Sequence, residues 1–205
     1  MYLIGDIHGR FVEYFEIIEE LEIIKPKSES IQLGDLGLGF GIRNFGDDYY
    51  KYEIKKYPKH KFIRGNHDNP EVCNSVSNCL GDYGYIKKLD LFYIAGAYSI
   101  DQHLRTEGRD WWKEEELTYS QFEKVIKLYK KKKPKIVISH DCPATCIPYL
   151  GAIPINNSTS SAFKFMFEEY QPETWVFAHH HKSRDFVIEK TNFICLDTLE
   201  IKEIP

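Results

Sequence analysis

The feature that most constrains this chain is a series of short polar clusters, most of which directly follow an apolar, β-branched run. Isolated pairs such as Asp-x-His mean little in a chain of 205 residues with eight histidines. Recurrence at the ends of predicted strands is different, because strand ends are where α/β sheets usually hold ligands. The series therefore indicates one shared site. The clusters are Asp6-Ile7-His8, Gly34-Asp35, Gly65-Asn66-His67-Asp68, Ser139-His140 and His179-His180-His181.

Two clusters contain ligand-type residues two positions apart, a spacing that places side chains on the same face of a strand. Asp6 and His8 have this spacing, and so do His179 and His181. Each pair is predicted to grip one ion. His180 lies between two such positions, so alternation turns it to the other face and it is predicted not to bind the metal.

Asp35 also follows an apolar run, and its two carboxylate oxygens could bridge cations about 3.5–4 Å apart, the separation usual in two-metal hydrolases. Asn66 and His140 complete the predicted ligand set. Mixed oxygen and imidazole ligands suit manganese, iron or zinc better than calcium, while affinity alone does not name the metal. The sequence predicts two divalent metal ions, with manganese or iron favoured and zinc or nickel as alternatives.

Strand and helix signals alternate along the chain, which predicts an α/β fold. Helices are predicted over 11–24, 47–57, 119–132 and 160–170, the last with Ser158 or Thr159 as its cap. Strands are predicted over 2–4, 31–33, 61–64, 85–89, 91–95, 135–139, 175–178, 185–189 and 193–196, with a Gly-rich loop over 34–46. This order suits two packed sheets with helices outside, in a single domain over 1–205.

Taken together, the clusters resemble the motif series of the calcineurin-like metallophosphoesterases, and they reach from near the N-terminus to residue 181. The resemblance implies two packed mixed β-sheets flanked by helices, an αββα sandwich. A looser resemblance to small bacterial and phage members covers 95–116.

The resemblance also implies roles for individual residues. One metal ion would be bound by Asp6, His8, Asp35 and His181. The other would be bound by Asp35, Asn66, His140 and His179. His67 would donate a proton to the leaving group, a step worth roughly 10²–10⁴ in rate. Asp68 would orient His67.

Residues around the ligands are interpreted from their chemistry. Arg64 is predicted to hold a non-bridging phosphate oxygen with its planar guanidinium, the alternative being a surface arginine. Trp111 and Trp112 could stack a base, although a core position is favoured. The segment over 95–116 is predicted to form a substrate rim. Its candidate residues are Tyr98, Asp101, His103 and Arg105.

Two departures from the family pattern stand out. Gly34-Asp35-Leu36-Gly37 lacks the further Asp and Arg that phosphoprotein phosphatases carry, which argues against a protein phosphatase. Ala178 stands where a glycine commonly precedes the paired histidines, and it is interpreted as a tolerated backbone variation.

Composition limits the partners. The chain has no apolar run near the roughly 18–20 residues needed to span a bilayer, and it enters its first strand without a leader, so a cytoplasmic location and no membrane partner are predicted. A net charge of −4 and a pI near 6.1 give no general attraction for nucleic acid. The five cysteines lack a CxxC pair and are interpreted as free thiols. No sequence feature bears on the oligomeric state.

These observations predict a dinuclear metal-dependent phosphoesterase that hydrolyses phosphate esters by attack of a metal-bridging hydroxide. A phosphomonoester or small nucleotide is favoured, because 205 residues leave little material for a capping domain or a duplex-binding surface. A nuclease or cyclic-nucleotide phosphodiesterase is the alternative enzyme. The alternative of another class is a catalytically inactive metal-binding interaction module, and the filled ligand and proton-donor positions argue against it.

Overall fold

The structure, a computed structural model, describes residues 1–41 and 45–204, so residues 42–44 of the predicted Gly-rich loop lie outside the described residues. The α-helices are α1 (Phe11–Ile24), α2 (Phe45–Glu53), α3 (Pro70–Asn74), α4 (Tyr119–Lys132) and α5 (Ser158–Glu169). The strands are β1 (Tyr2–Ile4), β2 (Ser30–Gln32), β3 (His60–Phe62), β4 (Tyr83–Ile86), β5 (Leu91–Ile94), β6 (Ile136–Ser139), β7 (Thr174–Phe177), β8 (Arg184–Ile188), β9 (Thr191–Cys195) and β10 (Ile201–Glu203). Short 3₁₀ helices cover Ile54–Lys56, Lys87–Leu89, Gln102–Leu104, Lys113–Glu115 and Ala144–Leu150.

The strands form two mixed sheets. The first has the order β10-β1-β2-β3, in which β1, β2 and β3 are parallel and β10 pairs antiparallel with β1. The second has the order β4-β5-β6-β7-β9-β8, with four parallel central strands and an antiparallel strand at each edge. The predicted pair of mixed sheets is confirmed.

Alternation along the strands builds three apolar layers. Leu3 and Ile31 of the first sheet belong to one buried cluster with Ile138 and Val176 of the second, so the sheets pack face to face. Neighbouring strand residues face outward. Ile4 and Phe62 pack with α1 residues such as Tyr14 and Ile18. Trp175 and Phe193 pack with α4 and α5 residues such as Tyr129 and Phe163. The result is the predicted αββα sandwich.

Element boundaries agree closely with the sequence, with a few corrections. Helices α1 and α4 have the predicted bounds. The predicted cap of α5 is wrong, because Asn157 occupies that position and its side chain accepts a hydrogen bond from the Ser160 N–H at 2.8 Å. Helix α3 and strand β10 are additions to the predicted pattern. Within the described ranges, no helix has the length and apolarity required to cross a bilayer.

Candidate metal centre

The first ligand group lies on the loops that follow β1, β2 and β7. It consists of Asp6, His8, Asp35 and His181, whose ligand atoms all lie within 4.8 Å of one another. Asp6 Oδ2 is 2.9 Å from His181 Nε2, and the Nε2 atoms of His8 and His181 are also 2.9 Å apart. Both carboxylates are buried, whereas the His181 side chain is 50% exposed. The group is therefore open to solvent on the histidine side.

Asp35 also belongs to a second ligand group, with Asn66, His140 and His179. His140 Nε2 lies 3.1 Å from Asp35 Oδ1 and 3.2 Å from Asn66 Oδ1. The His140 Nδ1 atom is 2.8 Å from the Leu33 carbonyl oxygen, a contact that presents Nε2 as the ligand atom of the neutral ring. The Asn66 amide group donates to Ser99 Oγ at 3.0 Å, which leaves the amide oxygen facing the ligands.

The donor atoms of the first group face one another in a way that suits a cation. The Nε2 atoms of His8 and His181 lie next to each other. Asp6 Oδ2 is buried and accepts no hydrogen bond of normal geometry, although His181 Nε2 is 2.9 Å away. Oxygen and imidazole ligands of this kind bind manganese, iron or zinc. The residues therefore fit divalent metal ions.

Neighbouring histidine side chains shift the pKa values of the two buried carboxylates, Asp6 and Asp35. Burial alone would raise the pKa of Asp35, but the charge and hydrogen bond of His140 hold that pKa well below its ordinary value. Burial likewise opposes ionisation of Asp6, yet the adjoining rings of His181 and His8 lower its pKa. Burial disfavours the charged form of His140, but Asp35 and Asp6 raise its pKa to about 10. A protonated His140 would offset one of the two carboxylate charges, as a bound cation would.

Close backbone approach brings the ligands together. The N–H groups of Ile7 and His8 both donate to the Asp35 carbonyl oxygen, at 3.0 and 2.8 Å. A Cβ atom at Gly65 would come within 2.2 Å of Asp35 Oδ1 and 2.6 Å of His140 Nε2. Glycine at position 65 is therefore required for the loops after β2 and β3 to reach the ligands.

The strand-alternation argument for the paired ligands is wrong. Strands β1 and β7 end before these residues, and His8, His179 and His181 have positive φ angles of 49°, 64° and 49° on loops. His179 and His181 lie in different candidate ligand groups, as the family resemblance implies, whereas Asp6 and His8 share one group. Ala178, by contrast, is not among the residues with positive φ, so glycine is not needed there.

The predicted role of Asp68 is also corrected. Its carboxylate does not orient the His67 ring, because it accepts the backbone N–H groups of the loops after β2 and β3 at 2.7–3.2 Å. The donors are Leu36, Gly37, Leu38 and Gly65. Asp68 therefore fixes these two loops against each other.

His67 has other neighbours that hold its ring. Phe40 stacks on it with a centroid separation of 4.8 Å and an interplanar angle of 13°. Arg105 Nη2 lies 2.6 Å from His67 Nε2, and His67 Nδ1 lies 4.0 Å from Asp35 Oδ2. Burial of the His67 ring holds its pKa below the ordinary value. The charge of Asp35 opposes this effect, and the charge of Arg105 adds to it.

The two arginines near the site differ in their surroundings. The Arg64 side chain is 3% exposed, so Arg64 is not a surface residue. It donates to Asp82 at 2.9 Å and to the Glu115 carbonyl oxygen at 3.1 Å, so it is not free to hold a phosphate oxygen as predicted. Arg105 instead lies beside His67 and contacts Asp101 at 2.8 Å. Arg105 is the arginine that adjoins the ligand groups.

A cavity of about 440 Å³ opens beside the second ligand group. Its lining includes Asn66, His67 and His179, together with three of the four predicted rim residues, Tyr98, Asp101 and Arg105. His103 is exposed and is not part of the described lining, and Trp111 and Trp112 are also outside it. Trp112 is buried with its ring 6.1 Å from Phe40, which agrees with the favoured core interpretation.

The far wall of the cavity was not anticipated from the sequence. It comes from the loop over 147–157 and carries Ile147, Ile153 and Ile155. His180 lies at its base, where Nε2 is 3.1 Å from Asp141 Oδ1 and 3.4 Å from Cys142 Sγ. An apolar stretch with two prolines gives no periodic signal, so this wall was detectable only in the folded chain, where Ile153 and Ile155 are exposed and Ile147 is buried.

Comparisons with known proteins agree with this fold. The family model for calcineurin-like phosphoesterases matches residues 1–183. The protein TT1561 of Thermus thermophilus has a similar structure, with a TM-score of 0.62, 12% identity, and coverage of 97% of this chain and 89% of that one. A protein described as a 5′-nucleotidase candidate from Staphylococcus aureus has a TM-score of 0.51 and 13% identity, with coverage of 98% of this chain and 49% of that one. No curated protein matches the sequence.

An αββα sandwich with oxygen and imidazole ligands gathered at its strand ends defines a metal-dependent hydrolase. The chain belongs to the calcineurin-like phosphoesterase family, whose model covers most of its length. It is a metal-dependent enzyme that acts on phosphate ester bonds.

Proposed function

We propose that this enzyme is a dinuclear phosphomonoesterase, small nucleotides included among its substrates. The observation that carries the proposal is the shared position of Asp35, which lies in both ligand groups. A carboxylate with one oxygen near each group is the bridge that two-metal hydrolases use. We assign Asp6, His8, Asp35 and His181 to one ion, and Asp35, Asn66, His140 and His179 to the other, with manganese or iron favoured.

The residues around the ligands supply the rest of the chemistry. When bound, two divalent cations would neutralise phosphoryl oxygens and lower the pKa of water from 15.7 towards ~7. His67 would donate a proton to the departing ester oxygen. Arg105, with its planar guanidinium beside His67, would hold a non-bridging phosphate oxygen in the place first given to Arg64.

The cavity supports a monoester rather than a nucleic-acid substrate. Among the described residues that line it, Arg105 is the one Lys or Arg side chain. A nucleic-acid chain needs several cations along its backbone. A single phosphate next to Arg105 and the ligand groups needs no such row of cations.

We further propose that 1–205 form one domain, and a cytoplasmic location stays a prediction.

Substitution of the shared ligand tests the proposal. The purified protein would be loaded separately with manganese, iron, zinc or nickel and assayed with para-nitrophenyl phosphate and its bis-ester. We expect the monoester to be the better substrate. Asp35→Asn should lose bound metal and reduce turnover by at least about 10²-fold, because the variant removes the anionic bridge.

Asp185→Asn is the matched control, since Asp185 is an exposed residue of β8 that pairs with Lys202. It should retain metal and rate. Full metal content and full activity in Asp35→Asn would overturn the assignment, and a faster bis-ester reaction would favour a diesterase.

A further inference from the structure

Three exposed apolar side chains line the cavity. Ile153 is 87% exposed, Ile100 is 65% exposed and Ile155 is 49% exposed. They come from two parts of the chain, position 100 and positions 153–155, that are far apart in sequence. Apolar surface gathered in this way around a cleft marks a binding site in soluble proteins.

The apolar wall and the ligand groups share one cavity. Asn66, His67 and His179 line one side, while Ile147, Ile153 and Ile155 line the other. A phosphate held at the ligand groups with its ester oxygen next to His67 would therefore place the alcohol half of the ester against the isoleucines. The volume, about 440 Å³, is within the range of small-molecule pockets and exceeds what a bare alcohol needs.

Polar side chains in the lining already have protein partners. Asn157 Oδ1 accepts the Ser160 N–H at 2.8 Å, and the Tyr98 hydroxyl accepts from Gln102 at 2.7 Å. Asp141 accepts the Cys142 N–H at 2.7 Å. Ile100, Ile153 and Ile155 remain exposed, so a ligand gains most here by covering apolar surface.

The charges in the lining disfavour a second phosphate. Asp101 and Asp141 are acidic, and Arg105, the one Lys or Arg side chain among the described lining residues, is assigned to the first phosphate. A nucleoside di- or triphosphate would bring additional negative charge against these carboxylates. One phosphate, located at the ligand groups, is the charge that the site accommodates.

We propose that the cavity between 98–105 and 147–157 is the leaving-group subsite, and that it selects phosphomonoesters whose alcohol half is uncharged and apolar, of aromatic-ring size or larger. The inference rests on the proposed phosphomonoesterase function and narrows its substrate class, with small nucleotides expected to be poorer substrates than apolar esters.

The test compares esters whose alcohols have similar intrinsic reactivity. Benzyl phosphate, ethyl phosphate and uridine 5′-monophosphate would be assayed with the metal-loaded enzyme, and binding of benzylphosphonate would be measured separately. We expect kcat/KM for benzyl phosphate to exceed that for ethyl phosphate by at least about tenfold, because the ring covers the isoleucine wall.

Variants of the wall make the test specific. Ile153→Ser and Ile155→Ser should each weaken benzylphosphonate binding and lower the ratio of kcat/KM for benzyl phosphate to that for ethyl phosphate about fivefold. Ile23→Ser is the matched control, because Ile23 is an exposed isoleucine of α1 outside the cavity. It should change none of these values.

The outcomes separate the two proposals. Failure to hydrolyse any of the esters with manganese, iron, zinc or nickel would overturn the phosphomonoesterase itself. Equal hydrolysis of benzyl and ethyl phosphate, with no effect of the wall variants, would overturn the subsite alone. A clear preference for uridine 5′-monophosphate over benzyl phosphate would also overturn it, in favour of a subsite that recognises polar groups.

Discussion

At the residue scale, the ligands were predictable because their chemistry is fixed by residue type, whereas the neighbours of His67 were not. Asp68 adjoins His67 in sequence, yet its carboxylate is used by backbone amides. Arg105 lies 38 positions away and reaches His67 Nε2 at 2.6 Å. The family resemblance suggested Asp68, and the position of Arg64 two residues before Asn66 suggested Arg64. Long-range packing instead decides which side chains face the candidate ligands.

The protonating role of His67 can be tested through the leaving group. His67→Ala should lower kcat for ethyl phosphate by roughly 10²–10⁴, the range for general acid catalysis. The loss should be smaller for para-nitrophenyl phosphate, because its phenolate departs without needing a proton. Metal content, measured alongside, should be unchanged. An equal loss for both esters would argue that His67 acts through position or charge and not as a proton donor.

The two arginines give a paired prediction. Arg105→Gln should raise KM and the inhibition constant of inorganic phosphate by about tenfold or more, because a charged donor to the phosphate is lost. Arg64→Gln should instead lower the urea midpoint of unfolding, because it breaks the buried contacts with Asp82 and Glu115. If Arg64→Gln shifted phosphate inhibition and Arg105→Gln did not, the original prediction for Arg64 would be restored.

At the element scale, prediction succeeded where local signals and tertiary packing coincide. Helix α4 begins at a capping box formed by Thr118 and Gln121 and ends at Lys133 in the left-handed conformation, before Pro134. Its bounds follow from those residues. Strand β10 has three residues, Ile201–Glu203, two of them exposed, and it exists only by pairing with β1, about 200 positions earlier. No local pattern encodes such a partner.

The loops that carry the candidate ligands show the same limit of prediction from local sequence patterns. Alternation assigned the paired histidines to strands, but the strands stop short and positive φ angles redirect the side chains. The motif spacing therefore named residues that the structure also brings together, although the local geometry predicted for them was incorrect. The residue pattern does not show the hydrogen bonds that hold the loops together, such as those from the Ile7 and His8 N–H groups to the Asp35 carbonyl oxygen.

At the scale of the whole molecule, the ligand groups join the two sheets. Asp6, His8, Asp35 and Asn66 follow strands of the first sheet, whereas His140, His179 and His181 follow strands of the second. The two-sheet architecture was predictable from the order of strands and helices. The convergence of both sets of loops at one edge depends on how the sheets pack, which rests on long-range contacts such as Leu3 with Val176 in the buried layer.

This arrangement predicts how metal removal affects stability. Because ions bind the folded ligand set and not the unfolded chain, each site should stabilise the protein by about 2.7 kcal/mol when free metal is a hundredfold above its Kd. For a chain of this size that corresponds to about 5 to 10 °C of Tm per ion, or a Tm lower by about 10 to 20 °C when chelation removes both. Hydrogen exchange should accelerate in the ligand loops of both sheets, while the central strands β6 and β7 keep their protection. Asp35→Asn should show little further loss of Tm on chelation, and a wild-type Tm unaffected by chelation of measured bound metal would contradict the idea that the ions hold the two sheets together.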